Sequence, residues 1–225
     1  MLDSTNSDPV APIVRGVPLG DYQTNCYTIR SGEHIWIVDA GDRPGPLIDL
    51  VLEQEIRPDA VILTHAHPDH IAGLPSIRRA FPGVPVLIHE AERAWLSDPA
   101  LNLSAFMGNP ISLDPPDRLL TDGETLTLGT SRWEVRHVPG HSPGSIALIS
   151  GDAPIAMVGD ALFRESIGRT DFPGCSVEVL SISIRSHLYT LPDETAAYPG
   201  HGPPTTIGHE KRHNQFVRPE GEASA

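Results

Sequence analysis

Four side chains that can bind a metal ion fall within six consecutive residues of the sequence. His65 and His67 follow an apolar run at residues 60–64, and Asp69 and His70 come shortly after them. On extended backbone the side chains of residues i and i+2 point the same way, so the two leading histidines are expected to hold one cation. The chain must then turn into the next helix, which can direct Asp69 and His70 at a second cation. A merely polar surface loop would rarely put four ligand side chains directly after an apolar strand, so this spacing predicts a metal centre.

Three later positions repeat this arrangement. His141, Asp160 and His201 each come after a strand-like apolar run and directly after a glycine, where backbone can approach a metal closely. A single histidine of this kind is more often a capping or core group. Together with the first cluster, however, these residues make five histidines and two aspartates. That set suits two adjacent metal ions bridged by a carboxylate.

Strands and helices alternate in both halves of the chain and must position these ligands. The apolar patterns predict strands that end beside each ligand, and helices over about 70–80, 177–189 and 205–216. Residues 97–120 are rich in proline, asparagine and aspartate and are predicted to form an irregular excursion. Because both halves contain strands that end in ligand-type residues, the pattern favours a pseudo-duplicated sandwich over a linear doubly wound sheet.

The composition fits a globular protein and argues against several classes of function. The 225 residues include 16 Lys and Arg against 29 Asp and Glu, a formal net charge of −13, and 39% are hydrophobic. Nucleic-acid binding mostly needs a basic surface to replace phosphate counterions, so no nucleic-acid partner is predicted. The apolar runs are far shorter than the roughly 20 residues of a membrane helix, so no association with a membrane is predicted either.

The sequence predicts one domain with polar ends. Residues 1–11 are expected to form a flexible leader, residues 12–216 a single domain and residues 217–225 a flexible tail. The leader lacks the basic and apolar regions of a secretory signal. Cys26 and Cys175 cannot form a disulfide framework, although one bridge stays open. A cytoplasmic location is the resulting expectation.

The order and spacing of the ligands resemble a known family. The HAHPDH motif at residues 65–70, followed by His141, Asp160 and His201, resembles the metallo-β-lactamase superfamily over roughly residues 13–216. Three segments are similar to the short, single-domain glyoxalase II type, the hydroxyacylglutathione hydrolases. They are GDALF at 159–163, SIGRTDFPG at 166–174 and PGHGPPTTIG at 199–208.

The resemblance implies a fold and a division of the ligands. The fold is the metallo-β-lactamase fold, a four-layer αββα sandwich of two mixed β-sheets with the metals at one sheet edge. The implied ligands are His65, His67 and His141 for the first metal and Asp69, His70 and His201 for the second, with Asp160 bridging them. Two divalent ions are expected, and zinc is the usual metal of such enzymes, although iron and manganese are also used.

The resemblance also implies a reaction. Enzymes of the glyoxalase II type hydrolyse thioesters such as S-lactoylglutathione by attack of a metal-bound hydroxide, and a thiolate leaves. Asp69 is the expected catalytic residue, because it would orient the hydroxide as well as bind a metal. Four basic side chains are candidates for contacts with substrate carboxylates, or else are solvated surface charges: Arg164, Arg169, Lys211 and Arg212. Asp39 is a candidate either for fixing the tautomer of a ligand histidine or for capping a turn.

Some features leave other functions open. Cys175 and Glu165 depart from the residues common in the glyoxalase II type, and both flank the loop expected to face the substrate. The chain is also expected to lack the separate helical domain with which longer glyoxalase II enzymes hold glutathione. The alternatives are a mononuclear iron persulfide dioxygenase with the same ligand motif, a lactonase or β-lactamase of the superfamily, and a metal-binding module without catalysis. A small-molecule thioester is the expected partner, and the expected state is a monomer or dimer.

Overall fold

Two six-stranded β-sheets form the centre of the protein, whose structure, a computed structural model, describes residues 11–219. The strands of the first sheet, in spatial order, are β1 (Ile13–Leu19), β2 (Thr24–Ser31), β3 (His34–Val38), β4 (Ala60–Ile62), β5 (Val86–His89) and β6 (Arg118–Leu120). Strands β1 to β3 pair antiparallel, whereas β3 to β6 pair parallel. The first sheet is therefore mixed, and all of its strands come from residues 13–120.

The C-terminal half forms the second sheet and a small hairpin. Its strands are β7 (Thr125–Leu128), β8 (Ser131–His137), β9 (Ile146–Ser150), β10 (Ile155–Gly159), the hairpin strands β11 (Leu162–Phe163) and β12 (Ser166–Ile167), then β13 (Ala196–Pro199) and β14 (Thr205–Thr206). The order in the sheet is β14-β13-β10-β9-β8-β7. The β10–β13 pair is parallel and the other pairs are antiparallel, so this sheet is also mixed.

Helices cover the outer face of each sheet. The first sheet carries α1 (Gly45–Leu52), α2 (Pro68–Ile71) and α3 (Leu74–Ala80). The second carries α4 (Val177–Ser183), which continues as a π-helical turn (Ile184–Leu188), and α5 (Ile207–His213). Four layers result in the order helix, sheet, sheet, helix. The predicted αββα sandwich is confirmed.

Successive side chains of the central strands alternate between two cores, one under the helices and one between the sheets. Neighbouring strand residues point to opposite faces, so Ile37 packs under the helices while Trp36 and Val38 pack between the sheets. Trp36 meets Trp133 of the second sheet with 6.3 Å between ring centroids. The facing sides of the two sheets thus pack against each other in one core.

The helix predicted over about 70–80 is two helices, and this break shapes the predicted site. The amide of Gly73 donates to the carbonyl of Ala40 at 2.8 Å. A Cβ at Gly73 would lie 2.2 Å from the carbonyl oxygen of Gly41, so only glycine fits between the helices and the loop after β3. Pro75 then stands in the first turn of α3, where its missing N–H costs nothing.

The segment at residues 97–120 is more regular than predicted. It contains a 3₁₀ turn at Ser104–Met107 and ends in the edge strand β6. The buried Asn102 side chain donates to the carbonyls of Trp95 and Ile111, each at 2.9 Å, and so pins both ends of the loop. This segment also forms one wall of the pocket over the predicted metal ligands.

The packed part of the chain extends further than residue 216. Val217 is buried, and its carbonyl accepts a hydrogen bond from the Tyr189 hydroxyl at 3.0 Å. Residues 1–10 of the predicted leader and 220–225 of the predicted tail lie outside the described residues. Cys26 and Cys175 are both free thiols, so the single bridge left open by the sequence is not formed. Within residues 11–219, no helix has the length and apolar character needed to cross a bilayer.

Candidate metal centre

His65 and His67 stand on the extended segment after β4 and meet the side chain of His141. His141 Nε2 lies 2.9 Å from His67 Nδ1 and 3.2 Å from His65 Nε2, and all three side chains are buried. Metal–nitrogen bonds of about 2.05 Å in a tetrahedral site put ligand nitrogens about 3.3 Å apart. The three imidazoles therefore have the spacing of ligands that share one cation.

A second cluster lies beside the first. Asp69 and His70 occupy the first turn of α2, and His201 follows the end of β13. His201 Nε2 is 3.1 Å and His70 Nε2 is 3.5 Å from the same carboxylate oxygen, Asp69 Oδ2. One potential ligand atom from each of the three residues lies within 4.8 Å of the others, which suits a second cation.

The carboxylate of Asp160 reaches both clusters. Its Oδ2 is 3.6 Å from His141 Nε2 and 3.4 Å from His201 Nε2, and its Oδ1 is 3.4 Å from His70 Nε2. Asp160 follows Gly159, which has a φ of 49° and would bring a Cβ within 2.8 Å of the Thr64 side chain. Glycine at this position therefore lets β10 end against the segment that carries the first histidines. All seven predicted ligands come together.

The hydrogen bonds on the far side of the cluster test whether it fits cations. Three of its histidines donate from Nδ1 away from the centre: His141 to the Arg169 carbonyl at 2.8 Å, His201 to the Tyr22 carbonyl at 3.1 Å and His70 to the Asp39 carboxylate at 2.9 Å. Their Nε2 lone pairs therefore face the centre. His70 Nε2 and Asp160 Oδ1 are buried and have no hydrogen-bond partner within residues 11–219. Buried polar atoms of this kind are costly unless a ligand satisfies them, so the residues fit two cations.

The two clusters differ in charge. Burial lowers the pKa of His67 to about 3, and burial also holds the pKa of His65 well below its ordinary value. In the second cluster burial opposes the charge on His201, but its bonds to Asp160 and Asp69 outweigh burial and raise its pKa to about 9. The first cluster therefore presents neutral nitrogens, and the second presents carboxylates that favour a positive charge.

Asp39 supports His70 from behind. This residue is fully buried at a φ of 61°, and its Oδ2 accepts the Nδ1–H of His70. The amide and the hydroxyl of Thr64 also donate to its carboxylate, each at 2.8 Å. Of the two roles left open by the sequence, the structure shows contact with a ligand histidine. The carboxylate fixes the tautomer in which His70 Nε2 faces the centre.

Replacing Asp39 by asparagine is expected to weaken metal binding at the second cluster by about 10–100-fold. The asparagine tolerates the left-handed backbone, but its amide donates toward His70 and selects the tautomer with hydrogen on Nε2. Metal titration with stoichiometry per chain measures the effect. Asp59→Asn is the matched control, because Asp59 pairs with the exposed His34 at 3.2 Å. Equal metal affinity in Asp39→Asn and wild type would contradict the role.

Glu92 joins the two loops that carry the first cluster, and this role was not predicted from the sequence. This fully buried carboxylate accepts from the amide of Ala66 at 2.7 Å, the hydroxyl of Ser142 at 2.5 Å and the amide of Gly144 at 2.8 Å. Burial raises its pKa, and these hydrogen bonds oppose that rise. The sequence gives no signal for this role, because Glu92 stands between the charged residues Glu90 and Arg93 and looks like a surface residue.

Replacing Glu92 by glutamine is expected to destabilise the fold by about 1–3 kcal/mol. A glutamine amide has one acceptor oxygen, so either the Ala66 or the Gly144 amide would face an NH₂ group and lose its partner. The midpoint of urea unfolding of the metal-free protein measures this change. Glu33→Gln, at a carboxylate whose side chain is 87% exposed, is the control. An unchanged midpoint would show that Glu92 is not a structural link.

The four basic side chains that were predicted as candidate substrate contacts do not lie together in the structure. Arg169 lines the pocket over the cluster and pairs with Asp171 at 2.8 and 3.0 Å. Lys211 and Arg212 instead pair with Asp193, at 2.8 and 3.2 Å, and are not among the lining residues. Arg164 is exposed and also lies outside the lining.

The two residues that depart from the glyoxalase II pattern both make polar contacts. Cys175 donates its thiol hydrogen to the carbonyl of His141 at 2.8 Å, and burial raises its pKa. Glu165 pairs with His209 at 2.9 Å. Cys175 thus supports the backbone of one ligand, whereas Glu165 faces α5.

Comparison with known proteins places the chain in a family. The sequence profile described as the metallo-beta-lactamase superfamily matches residues 19–201. The chain belongs to the metallo-β-lactamase superfamily. The placement predicted from the order of the ligands is confirmed.

Two relatives within the superfamily match most of the chain. The probable metallo-hydrolase YqgX of Bacillus subtilis is 37% identical over 90% of this chain and 96% of its own length. The hydroxyacylglutathione hydrolase GloC of Haemophilus influenzae is 36% identical over 89% of this chain and 96% of its own. The chain therefore spans nearly the full length of these two relatives.

Three solved structures have a similar fold. BLEG-1, described as a B3 metallo-beta-lactamase, is 42% identical with a TM-score of 0.86 and covers 91% of this chain and 99% of its own. TTHA1623, solved in a di-iron-bound form, is 36% identical with a TM-score of 0.80, covering 92% and 100%. ETHE1 from Myxococcus xanthus is 27% identical with a TM-score of 0.71, covering 90% and 83%.

Proposed function

We propose that the protein is a metal-dependent thioester hydrolase of the glyoxalase II type, which cleaves S-lactoylglutathione or a related thioester. The observation that carries this proposal is the position of Asp160, whose carboxylate lies between a three-histidine cluster and an Asp-His-His cluster. The likeness to the hydroxyacylglutathione hydrolase GloC supports the thioester. A small-molecule partner, action as a monomer or dimer and a cytoplasmic location belong to the same proposal.

The proposed cofactor is a pair of divalent ions held by the seven ligands. Zinc is the first expectation, and the di-iron form of TTHA1623 supports iron as an alternative. Such a pair supplies a water of lowered pKa and polarises a carbonyl. The chain contributes the geometry: it holds three neutral imidazoles on one side and two carboxylates with two imidazoles on the other.

Asp69 is the proposed catalytic residue. Its Oδ2 accepts a hydrogen bond from the Thr24 hydroxyl at 2.7 Å and faces His201, so the carboxylate is held in one orientation. Asp69 also lines the pocket, where it can accept a proton from an attacking water. The leaving group needs little help, because a thiol with a pKa of about 8.5 departs readily as thiolate.

The experiment is hydrolysis of S-D-lactoylglutathione by protein of measured metal content, followed as thiol released per second. Turnover within the ordinary enzymatic range of about 1–10³ per second is expected. The same preparation stripped with a chelator should lose this activity and regain it on addition of zinc. No thiol release from S-lactoylglutathione or other thioesters by protein with two ions per chain would overturn the proposal.

A persulfide dioxygenase is the second candidate, favoured by the likeness to ETHE1 at 27% identity. Such an enzyme would use one iron and consume oxygen. The complete second cluster of Asp69, His70 and His201 argues for the hydrolase, since one iron leaves it without a role. One iron per chain together with oxygen uptake in the presence of glutathione persulfide would favour the dioxygenase.

A β-lactamase is a further candidate, favoured by the likeness to BLEG-1 at 42% identity. The same metal centre would then attack an amide, or an ester in the related lactonases. The leaving group separates these reactions, because an amine needs a proton to depart whereas a thiolate does not. Turnover of a cephalosporin or a lactone faster than that of any thioester would favour this candidate.

A further inference from the structure

The pocket over the metal centre has apolar walls. It encloses about 530 Å³, within the range of sites that hold small molecules, and includes ligands of both clusters. Besides the ligands, the walls are made mainly of Leu103, Phe106, Met107, Phe163, Phe172 and Pro173. A substrate whose carbonyl reaches the centre must therefore lie against apolar surface.

Two phenylalanines flank the centre itself. The ring centroid of Phe172 lies 5.5 Å from that of His67 in the first cluster. The ring centroid of Phe163 lies 5.9 Å from that of His201 in the second. Leu103 lies deeper, at 9% exposure, whereas Phe106 stands at the mouth at 76%. The inner part of the pocket is thus apolar on both sides of the position that a scissile carbonyl would take.

Positive charge is scarce in this pocket. Arg169 is the only Lys or Arg among its described lining residues, and it already makes two hydrogen bonds to Asp171 while lying 4.6 Å over the Phe172 ring. The side chain of Arg169 is 68% exposed and therefore belongs to the mouth. Glutathione carries two carboxylates, and this wall offers them one guanidinium that is already paired.

We propose that the site prefers thioesters with an apolar, medium-length acyl chain over the short, hydroxylated lactoyl group. This inference rests on the proposed thioester hydrolysis and specifies its substrate class. The thiol half of biological thioesters is the larger and more polar half, so it extends to the open mouth near Arg169 and Phe106. The acyl chain then fills the depth between Leu103, Phe163 and Phe172.

The test is a series of thioesters of one uncharged thiol, N-acetylcysteamine, with acetyl, lactoyl, butyryl and hexanoyl groups. Burial of each methylene contributes up to about fourfold, so kcat/KM is expected to rise about tenfold from acetyl to butyryl and further to hexanoyl. Phe172→Ala should flatten this dependence. Phe216→Ala removes a ring that is 60% exposed and lies outside the pocket lining, so it should leave the dependence as in wild type.

A binding measurement adds a readout that does not require turnover. Calorimetry with acetate and hexanoate compares two ligands with the same carboxylate, and hexanoate is expected to bind at least about tenfold tighter. Thiol release that does not depend on chain length, or that is fastest for the lactoyl thioester, overturns this inference and leaves the proposed hydrolase in place. No release from any thioester by protein with two ions per chain overturns the proposed function, and equal binding of acetate and hexanoate then overturns the apolar preference as well.

Discussion

Replacing His67 by alanine is expected to remove the metal ion of the first cluster and to abolish turnover. The imidazole of His67 supplies one of only three nitrogens there, with its Nδ1 at 2.9 Å from His141 Nε2. His65 and His141 then share the first site only with the bridging carboxylate of Asp160, so this site loses one of its three nitrogens and binds metal more weakly. The loss should exceed the 10–100-fold that removal of a supporting hydrogen bond typically costs.

Metal content and activity must be measured on the same sample. The expected result for His67→Ala is about one ion per chain in place of two, with thiol release from S-lactoylglutathione reduced by more than about 100-fold. His34→Ala is the matched control, because His34 is an exposed histidine that pairs with Asp59. It lies at the start of β3, at the opposite end of this strand from Asp39. Wild-type turnover in His67→Ala would refute the metal centre as the seat of the activity.

Local sequence patterns predicted which side chains come together, because each of them is positioned by its own short segment. His65 and His67 need only extended backbone after an apolar strand, and His141, Asp160 and His201 need only a glycine turn at a strand end. Sheet topology then brings these ends to one place: β4 of the first sheet and β10 and β13 of the second converge at the cluster. The sandwich was predictable because strands ending in ligands occurred in both halves.

Residues that act through long-range partners were not predictable in this way. Glu92 lies 26 positions from Ala66 and 50 from Ser142, and no local pattern announces a buried carboxylate that joins them. The same limit applies to charge. Lys211 lies 18 positions from Asp193, and this ion pair directs it away from the pocket. Partner choice of a long polar side chain depends on which loops fold beside it, and an isolated motif does not contain that information.

Replacing Gly200 by alanine is expected to disable the centre without removing a ligand. A Cβ at this position would lie 2.0 Å from Asp160 Oδ1 and 2.8 Å from the His70 ring. The backbone cannot retreat, because two backbone hydrogen bonds hold it. The Gly200 N–H donates to the carbonyl of Gly159 at 2.9 Å, and the Gly200 carbonyl accepts from the backbone N–H of Asn25 at 2.7 Å. The shared carboxylate must therefore rotate away and lose its contact with one cluster.

The expected outcome for Gly200→Ala is loss of one metal ion per chain and a fall in turnover of more than about 100-fold, a larger effect than that of losing a supporting hydrogen bond. Overpacking of this kind typically costs about 1–3 kcal/mol of stability, so the fold should survive.

Gly202→Ala is the sharper of two controls. Gly202 has a φ of 74° but nothing within 4 Å of its Cβ position, so this variant introduces backbone strain into the same loop without a clash. Gly45→Ala, with open space and an ordinary backbone conformation, controls for the added methyl group. If Gly202→Ala loses metal as fully as Gly200→Ala does, any disturbance of this loop releases the metal, and the contact with Asp160 is not the specific cause. If Gly200→Ala alone loses it, the position of one carboxylate oxygen determines whether both clusters can be occupied.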